Sequence, residues 1–384
     1  MKTICIVTGS RAEYGLLNPL IKEIKKSKGL KLNLVVTGSH LSKSFGNTYK
    51  EIDPKLISAK IRIPVEFSDK AGMAKCLSTT IDKFTDYFSK NRPDILVVLG
   101  DRYEIFGVCI AASMLNIPIG HISGGETTEG AVDEYIRHSI TKMSYLHFTE
   151  CEDYRKRVIQ LGENPKRVFN VGALCVDNIN NLKELSLNDL SKELNIDLKE
   201  DYALVTYHPE TIGKVSIKKQ MSNLIKALKN YPNMNFIITK ANADAGGMII
   251  NDIWDEEIKK HSNWSLVYSL GFEKYLTLMR HSKVVIGNSS SGIIEAPVFK
   301  KPVVNIGDRQ KGRYMCENIM SCKNDEKDII KSIDLALSSK FEKELRNVKC
   351  PYGNGTAAKK IVKILERELK NEIDLKKKFY DIEY

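Results

Sequence analysis

The sequence has no long run of apolar residues and no paired cysteines. No stretch approaches the ~18 uninterrupted apolar residues that a membrane-spanning helix needs. The 8 cysteines are scattered, without a CxxC pair or the regular spacing of a disulfide framework. The first residues, MKTICIVTGSRAEYG, lack the apolar core and cleavage site of a signal peptide. We therefore expect a reduced, cytoplasmic protein that does not bind a membrane.

Several motifs of common catalytic sites are also missing. The dinucleotide-binding pattern GxGxxG does not follow the first strand, so an NAD site has little support. There is no serine-centred nucleophile elbow and no zinc-binding helix motif. We expect neither a metal nor a cofactor.

The net charge of +11 does not by itself indicate a nucleic-acid partner. Lysines are spread over helix-like segments such as LIKEIKKSK, with acids between them, as on a solvated surface. A nucleic-acid site would need clustered basic and aromatic residues. A positive field would equally favour an anionic small-molecule substrate.

Short apolar runs alternate with longer amphipathic segments, which predicts parallel sheets covered by helices. The predicted strands are 3–9, 32–38, 95–100, 117–123, 145–150, 202–208, 235–240, 264–269, 283–289 and 302–307. The fold class is therefore α/β, with two doubly wound Rossmann-like domains facing a central cleft. The length of 384 residues fits two domains of ~150–200 residues each.

The polar segment after residue 176 has no strand pattern and divides the two series. We predict an N-terminal domain over 1–176, a connecting segment over 177–200 and a C-terminal domain over 201–365. A C-terminal helix or tail over 366–384 would lie near the domain junction.

Polar loops follow the strands of the second series. In VVIGNSSSGIIEAP, the small residues from Gly287 to Gly292 precede a helix, which predicts a phosphate seat of backbone N–H groups. Glu295, on the first helical turn, could accept hydrogen bonds from two ribose hydroxyls. A serine-capped turn is the alternative. His208 ends the strand YALVTYH, where a histidine is well placed for chemistry.

Similar loops follow the first series. Arg11 comes after the strand and turn TICIVTGS, and Asp101 and Arg102 come directly after ILVVLG. In HISGGETTEGAVDEYIRH, helix capping explains Asp133 well but Glu126 poorly, since Glu126 follows two glycines away from the helix. A helix cap with a surface arginine remains an equal reading of Asp101 and Arg102.

Seven motifs together resemble one enzyme family. TGSRAEYG, GDRYEIF, HISGGE, DEYIRHSITKMS, YHPET, GNSSSGIIEAP and NIGDRQKGR occur in this order, between residue 3 and about 320. The set resembles the hydrolysing UDP-N-acetylglucosamine 2-epimerases of sialic acid biosynthesis and their relatives for legionaminic acid. The resemblance implies the GT-B-like arrangement of two Rossmann domains and a UDP-sugar substrate.

The resemblance also implies roles for single residues. The groups expected to hold the diphosphate are Arg11, Arg102, Arg309, Ser289 and Ser290. Glu295 would take the uridine ribose, while Asn242 and His208 would contact the sugar or phosphate. The proton carriers would be Asp101, Glu126, Asp133 and His208, with Asp101 and Glu126 the principal ones.

One position departs from the family pattern. Many relatives read HIEGGE, with a catalytic glutamate where this chain has Ser123. Serine is not a base near neutral pH without help. Either Glu126 or Asp133 takes that role, or Asp101 does more of the work.

The implied reaction eliminates UDP to a glycal and hydrates it, giving a free manno-configured sugar. The substrate would be UDP-N-acetylglucosamine or UDP-N,N'-diacetylbacillosamine, with a slight preference for the second. The alternatives are a GT-B glycosyltransferase, a non-hydrolysing 2-epimerase and a UDP-sugar-binding regulator. The carboxylates between Asp101 and Asp133 favour elimination over transfer. The resemblance also suggests a homodimer or homotetramer.

Overall fold

The computed structural model describes residues 1–65, 70–129, 132–182, 185–210, 215–241, 246–267 and 270–383. The chain divides into two compact units. The first contains Met1–Glu126, Ala131–Asn180 and Pro351–Tyr384, and the second contains Thr127–Gly130 and Asn181–Cys350. Among the described residues, no helix is both long and apolar enough to cross a membrane.

The described part of the first unit is built on a parallel sheet. Its strands are β1 (Lys2–Thr8), β2 (Leu30–Val36), β3 (Ile57–Lys60), β4 (Ile95–Leu99), β5 (Ile119–Ile122), β6 (Leu146–Thr149) and β7 (Val168–Asn170). Their order across the sheet is β3-β2-β1-β4-β5-β6-β7, and neighbouring strands are parallel. Because the order runs outward in both directions from the β1–β4 pair, the unit is doubly wound and Rossmann-like.

Helices cover both faces of this sheet. They are α1 (Arg11–Lys26), α2 (Lys70–Lys90), α3 (Tyr103–Met114), α4 (Val132–Met143), α5 (Glu152–Gln160) and α6 (Leu174–Asn180). Alternate residues of β1 point to opposite faces. Ile4 and Ile6 lie in a core with Leu17 of α1, whereas Cys5 and Val7 lie in a second core with α2 and α3.

The second unit repeats the arrangement. Its strands are β8 (Tyr202–Thr206), β9 (Asn235–Thr239), β10 (Trp264–Val267), β11 (Val284–Gly287), β12 (Val303–Ile306) and β13 (Ile319–Cys322). Its helices are α7 (Leu187–Leu194), α8 (Ile217–Leu228), α9 (Gly247–Glu257), α10 (Gly271–His281), α11 (Ser290–Ile294), α12 (Glu326–Ala336) and α13 (Ser339–Leu345). The strand order β10-β9-β8-β11-β12-β13 is again doubly wound. The predicted α/β class with two Rossmann-like units is confirmed.

The predicted boundaries at the C-terminal end are wrong. Helix α14 (Ala357–Glu368) belongs to the first unit rather than to a domain over 201–365. Asp177 accepts hydrogen bonds from the backbone N–H groups of Ala357 and Ala358, both at 2.9 Å. Apolar residues of α14 also share the core of α1. The helix therefore returns to the first unit because its N-terminus is capped there and its apolar face is buried there.

The segments on either side of these boundaries differ as well. The expected connection over 177–200 contains the end of α6 in the first unit and α7 in the second. The helix predicted within 366–384 is confined to its start, because α14 ends at Glu368 and residues 372–383 have no regular secondary structure.

All the predicted strands are present, with ends shifted by a few residues. The strands that the pattern missed are Ile57–Lys60, Val168–Asn170 and Ile319–Cys322, and each is an edge strand. Edge strands are short and less buried, so their hydrophobic signal is weak.

Candidate active site

In each sheet, polar loops follow the two neighbouring strands from which the strand order runs outward in both directions. Ligands of doubly wound folds bind there, beyond the carboxyl ends of the strands. In the first unit, Arg11 follows β1 and Arg102 follows β4, which are neighbours. In the second, His208 follows β8 and Ser289 follows β11, also neighbours.

A buried arginine organises the acids of the first unit. Arg137, on α4, is only 2% exposed and forms an ion pair with Asp101. Its guanidinium also contacts Glu134 at 3.2 Å and donates to the backbone carbonyl of Glu126 at 3.1 Å. Arg137 thus joins the end of β4, the loop after β5 and α4. The sequence pattern gave it no role.

Asp133 lies close enough to Asp101 for their charges to interact. It is exposed on the first turn of α4. Its pKa is raised by partial desolvation of the carboxyl group and then by the negative charge of Asp101. Two neighbouring carboxyl groups can serve as acid and base in one reaction. The structure therefore brings Asp101 and Asp133, of the predicted proton carriers, together beside Arg137.

The side chain of Glu126 lies among buried groups. Glu126 is 5% exposed, and its backbone rather than its carboxylate is what Arg137 contacts in the bond above. Burial raises the pKa of the Tyr352 hydroxyl, and the neighbouring Tyr154, Glu150 and Glu126 raise it further. Glu126 and Glu150 therefore share Tyr352 as a neighbour. The pattern did not select Glu150, although it directly follows β6.

The two arginines that were predicted to hold the diphosphate from the first unit form ion pairs with different acids. Arg102 donates through Nε to Glu104, whose side chain is fully buried. Arg11 forms a 2.9 Å ion pair with Glu51, and both side chains are at least half exposed. An exposed ion pair contributes little and is readily exchanged for another partner. Arg11 can therefore turn to an anion at low cost, whereas Arg102 is held.

In the second unit, buried Asn288 connects two predicted site residues. Its side-chain amide accepts from the backbone N–H of His208 at 2.7 Å and donates to the His208 carbonyl at 2.9 Å. Its backbone carbonyl accepts from Arg309 Nη1 at 3.0 Å. The loops after β8, β11 and β12 are thereby fixed to one another.

Glu210 fixes the same loop from the other side. Its Oε1 accepts from the backbone N–H groups of Asp308 and Arg309, at 2.6 and 2.9 Å. It belongs to the YHPET motif, but its role could not be read from the pattern, because the two partners are about a hundred residues away in sequence.

The serine loop, residues 287–292, precedes and begins a short helix instead of a long one. Ser289 is the N-cap of α11, which has 5 residues, so the expected helix dipole is small. Gly287 has φ 138°, and a Cβ there would lie 1.9 Å from the Thr206 carbonyl oxygen, so only glycine fits. Gly292 donates its N–H to the Ser289 carbonyl at 3.2 Å and packs against Val303. Gly292 therefore has a packing role, and its predicted phosphate contact stays a prediction.

A tyrosine that the pattern did not select supports this loop. The hydroxyl of Tyr275 lies 2.6 Å from Ser291 Oγ and 3.4 Å from Thr206 Oγ1. Ser291 Oγ in turn lies 3.1 Å from Ser289 Oγ. The serine hydroxyls are therefore part of a connected network and have fixed positions.

Glu295 is placed differently from the expectation. It is the C-cap of α11 rather than a residue of its first turn, because the helix is only one turn long. Burial raises the pKa of its carboxyl group to about 7. Near neutral pH this group titrates, so it can accept hydrogen bonds from hydroxyls in one state and donate in the other.

Two further points concern the predicted ligands. Asn242 lies outside the described residues. Within the described ranges, no group of three or more His, Cys, Asp or Glu side chains could hold a metal ion.

Comparison with known proteins agrees with these features. A family model described as UDP-N-acetylglucosamine 2-epimerase matches residues 22–366. The chain is 43% identical over 383 residues to the GDP/UDP-N,N'-diacetylbacillosamine 2-epimerase (hydrolyzing) of Campylobacter jejuni, covering 99% of each. It is 39% identical over 388 residues to the polysialic acid biosynthesis protein P7 of Escherichia coli, covering 100% of this chain and 98% of the relative.

A solved structure shares the fold. The crystal structure of UDP-GlcNAc 2-epimerase from Neisseria meningitidis bound to UDP-GlcNAc has a TM-score of 0.80 and 22% identity, covering 97% of this chain and 100% of that one. Two Rossmann-like units with polar clusters at their strand ends define a protein of the doubly wound α/β class. Within that class, the chain belongs to the UDP-N-acetylglucosamine 2-epimerase family. The family that the motifs resembled is confirmed.

Proposed function

We propose that the protein is a hydrolysing 2-epimerase of a UDP-2-acetamido sugar, and that its two strand-end clusters have separate tasks. The second unit binds the UDP portion, and the acids of the first unit transfer protons at C2 of the sugar, while two arginines of the first unit add positive charge for the diphosphate. The observation that carries the proposal is that Asp101, which forms an ion pair with buried Arg137, lies close enough to Asp133 for their charges to interact. The relative from Campylobacter jejuni, whose name includes "hydrolyzing", supports the hydrolytic outcome.

The second unit offers groups that suit a diphosphate and a ribose. Arg309, held by Asn288 and Glu210, supplies a fork of charged donors. The hydroxyls of Ser289 and Ser290 add neutral donors beside it. Glu295 would accept from the ribose hydroxyls. His208 would contact the sugar or the departing phosphate, since its backbone is fixed to Asn288.

In the first unit, Arg11 and Arg102 would add positive charge for the diphosphate. The C2 proton of the intact sugar is not acidic. When UDP departs, positive charge develops at C1 and the C2 proton becomes labile, so stabilising the diphosphate is the first requirement. Arg11 can leave its exposed partner Glu51 for this purpose.

The carboxylates of the first unit then move protons. One takes the C2 proton as UDP departs, which leaves a C1=C2 double bond, and a proton is later returned to C2 from the opposite face. Asp101 and Asp133 suit these roles because their carboxyl groups are close enough for their charges to interact, which helps to raise the pKa of Asp133, and Glu126 would assist. A positioned acid or base contributes ~10²–10⁴-fold to rate.

The sugar is proposed from the relatives. UDP-N,N'-diacetylbacillosamine is favoured slightly over UDP-N-acetylglucosamine, because the 43% identical relative is named for the first sugar. The product would be the free manno-configured sugar for nonulosonic acid synthesis, either legionaminic or sialic.

The test offers each UDP-sugar separately in deuterated water and follows the reaction by NMR. Free manno-configured sugar with deuterium at C2, formed together with UDP, is the expected result, and the faster substrate identifies the sugar. A UDP-linked manno product would contradict hydrolysis and indicate the non-hydrolysing reaction. Absence of UDP release from both sugars would favour a glycosyltransferase or a binding protein.

From the resemblance, we also propose a homodimer or homotetramer that acts in the cytoplasm. Light scattering of the purified chain tests the first point, and fractionation of the source cells tests the second.

A further inference from the structure

A buried serine and a buried glutamate form a hydrogen-bonded pair beside the acids of the first unit. Ser123 Oγ donates to Glu150 Oε1 at 2.6 Å. Ser123 is 8% exposed and Glu150 is 7% exposed. A hydrogen bond from a hydroxyl to a carboxylate at this distance is of the strong, charge-assisted kind.

The pair lies on the same edge of the sheet as Asp101. Strands β4, β5 and β6 are consecutive neighbours and parallel. Asp101 lies two residues beyond the end of β4. Ser123 directly follows β5, and Glu150 directly follows β6. The backbone N–H of Ser123 also donates to the Phe148 carbonyl at 3.0 Å, which fixes the two loops in register.

The backbone of Ser123 is strained. Its φ is 64°, in the left-handed region that a residue with a Cβ rarely adopts. Such a conformation costs on the order of 1–3 kcal/mol and is found preferentially at functional sites. Glycine would adopt it freely, so the side chain at this position carries a backbone cost.

The direction of this hydrogen bond determines what kind of further partner the Ser123 hydroxyl can bind. Because its only proton points to Glu150, the lone pairs of its oxygen remain for a donor, and its exposed fraction is small but not zero. In a hydrolytic reaction, water is a donor of suitable size for this oxygen.

We propose that Ser123 and Glu150 activate the water that hydrates the glycal, an inference that rests on the proposed function. The water oxygen bonds to C1 while its proton passes to Ser123 Oγ, and the Ser123 proton passes to Glu150. The electron pair of the C1=C2 bond takes a proton at C2 from an acid of the Asp101–Asp133 pair. Glu150 later returns its proton to solvent. Glu150 acts through Ser123 and is a positioning residue with a proton-accepting task.

The test separates hydration from UDP departure. Glu150→Gln and Ser123→Gly are assayed with the UDP-sugar for UDP release and for free sugar, and with the 2-acetamidoglycal plus UDP for hydration alone. Both variants should release UDP within a few-fold of the wild-type rate, accumulate glycal, and hydrate the offered glycal ~10²-fold or more slowly.

The control is Glu152→Gln, an exposed acid two residues further along the chain, which should keep wild-type rates of both steps. Hydration of the glycal by both variants at the wild-type rate would overturn the proposal. An equal loss of UDP release and hydration would also overturn it, since the pair would then serve elimination or folding. Absence of UDP release from the wild type would overturn the proposed function as well.

Discussion

The strand ends of the two units carry opposite chemistry on the same topology. In the first unit, carboxyl groups gather around a buried guanidinium, with Asp101 paired to Arg137. In the second, the buried amide of Asn288 binds the backbone of His208, and its backbone carbonyl accepts from Arg309. In both sheets, the strand order runs outward in both directions from a central pair, which is the first and the fourth strand of that sheet in chain order. Topology therefore selects where a site forms, and the loop residues select what it does.

The largest expected effect is on proton transfer. Replacing Asp101 by Asn should lower turnover by ~10²–10⁴-fold, because the amide cannot accept the proton that the carboxylate takes. Turnover is measured as the release of UDP from the UDP-sugar in a coupled assay. Asp82→Asn, on the exposed face of α2, is the matched control and should have no effect. Near-normal turnover of Asp101→Asn would contradict its assignment.

The next effect concerns the buried guanidinium of the first unit. Arg137→Met should lower the free energy of unfolding by about 3 kcal/mol, the lower end for a broken buried pair, because Asp101 and Glu134 lose their counter-charge but are themselves 25% and 28% exposed. Denaturant titration measures this loss. In the double variant with Asp101→Asn, the losses should be smaller than the sum of the two single losses. Strict additivity would show that the pair does not interact energetically.

The next effect concerns the glycine that ends strand β11 of the second unit. Gly287→Ala should destabilise the protein by at least about 3 kcal/mol, since it adds backbone overlap with Thr206 to an unfavourable φ. Gly271→Ala is the control, because its φ is also positive but a Cβ would meet nothing within 4 Å. Thermal denaturation of both variants isolates the overlap. Equal losses would mean that the close approach to Thr206 is unimportant.

A buried acid of the first unit that lies outside the proposed site should affect stability only. Burial would raise the pKa of Glu163, but hydrogen bonds from His147, Lys377 and Lys142 lower it to about 2. Because the folded pKa lies below the unfolded value, this stabilisation is present above about pH 4.5 and is lost as the pH falls towards 2. Lys377→Met should cost about 1.5–3 kcal/mol at pH 7 without changing turnover.

Lys376→Met, which alters an exposed lysine of the same segment, provides the control for that experiment. Unfolding of both variants is measured at pH 7 and at pH 3. A loss at pH 7 that equals the loss at pH 3 would contradict the role of the ionised Glu163.

The smallest effect concerns Glu295, a half-buried acid of the second unit. If the ionised form of Glu295 accepts from ribose, affinity for the UDP-sugar should increase by up to roughly tenfold from pH 6 to pH 8, as a group with a pKa of about 7 ionises. The intact UDP-sugar is used because the terminal phosphate of free UDP itself titrates near pH 6. Glu295→Gln should remove the pH dependence. A persistent pH dependence would assign it to another group.

Much of the fold could be predicted because both sheets contain apolar strands with clear turns. The edge strand Ile57–Lys60 was missed because its side chains alternate between half-buried and exposed, which weakens the signal. The return of α14 to the first unit depends on Asp177, a contact across 180 residues that periodicity does not reveal.

The site was predictable to the extent that it follows strand ends. The rule that selected Asp101 would also have selected Glu150, at the end of YLHFTE, had it been applied to every strand. Arg137 was not predictable from pattern, because an arginine on an amphipathic helix is usually exposed and only the structure shows it buried.

The division of tasks between the two clusters is tested most directly by calorimetric titration of UDP into Asp101→Asn and Arg309→Met. Loss of the charged donor of Arg309 should weaken UDP binding by roughly 10- to 100-fold, corresponding to about 1.5–3 kcal/mol. Asp101→Asn should change the dissociation constant by less than about twofold while turnover is lost. Comparable weakening of UDP binding in both variants would contradict separate tasks for the two clusters.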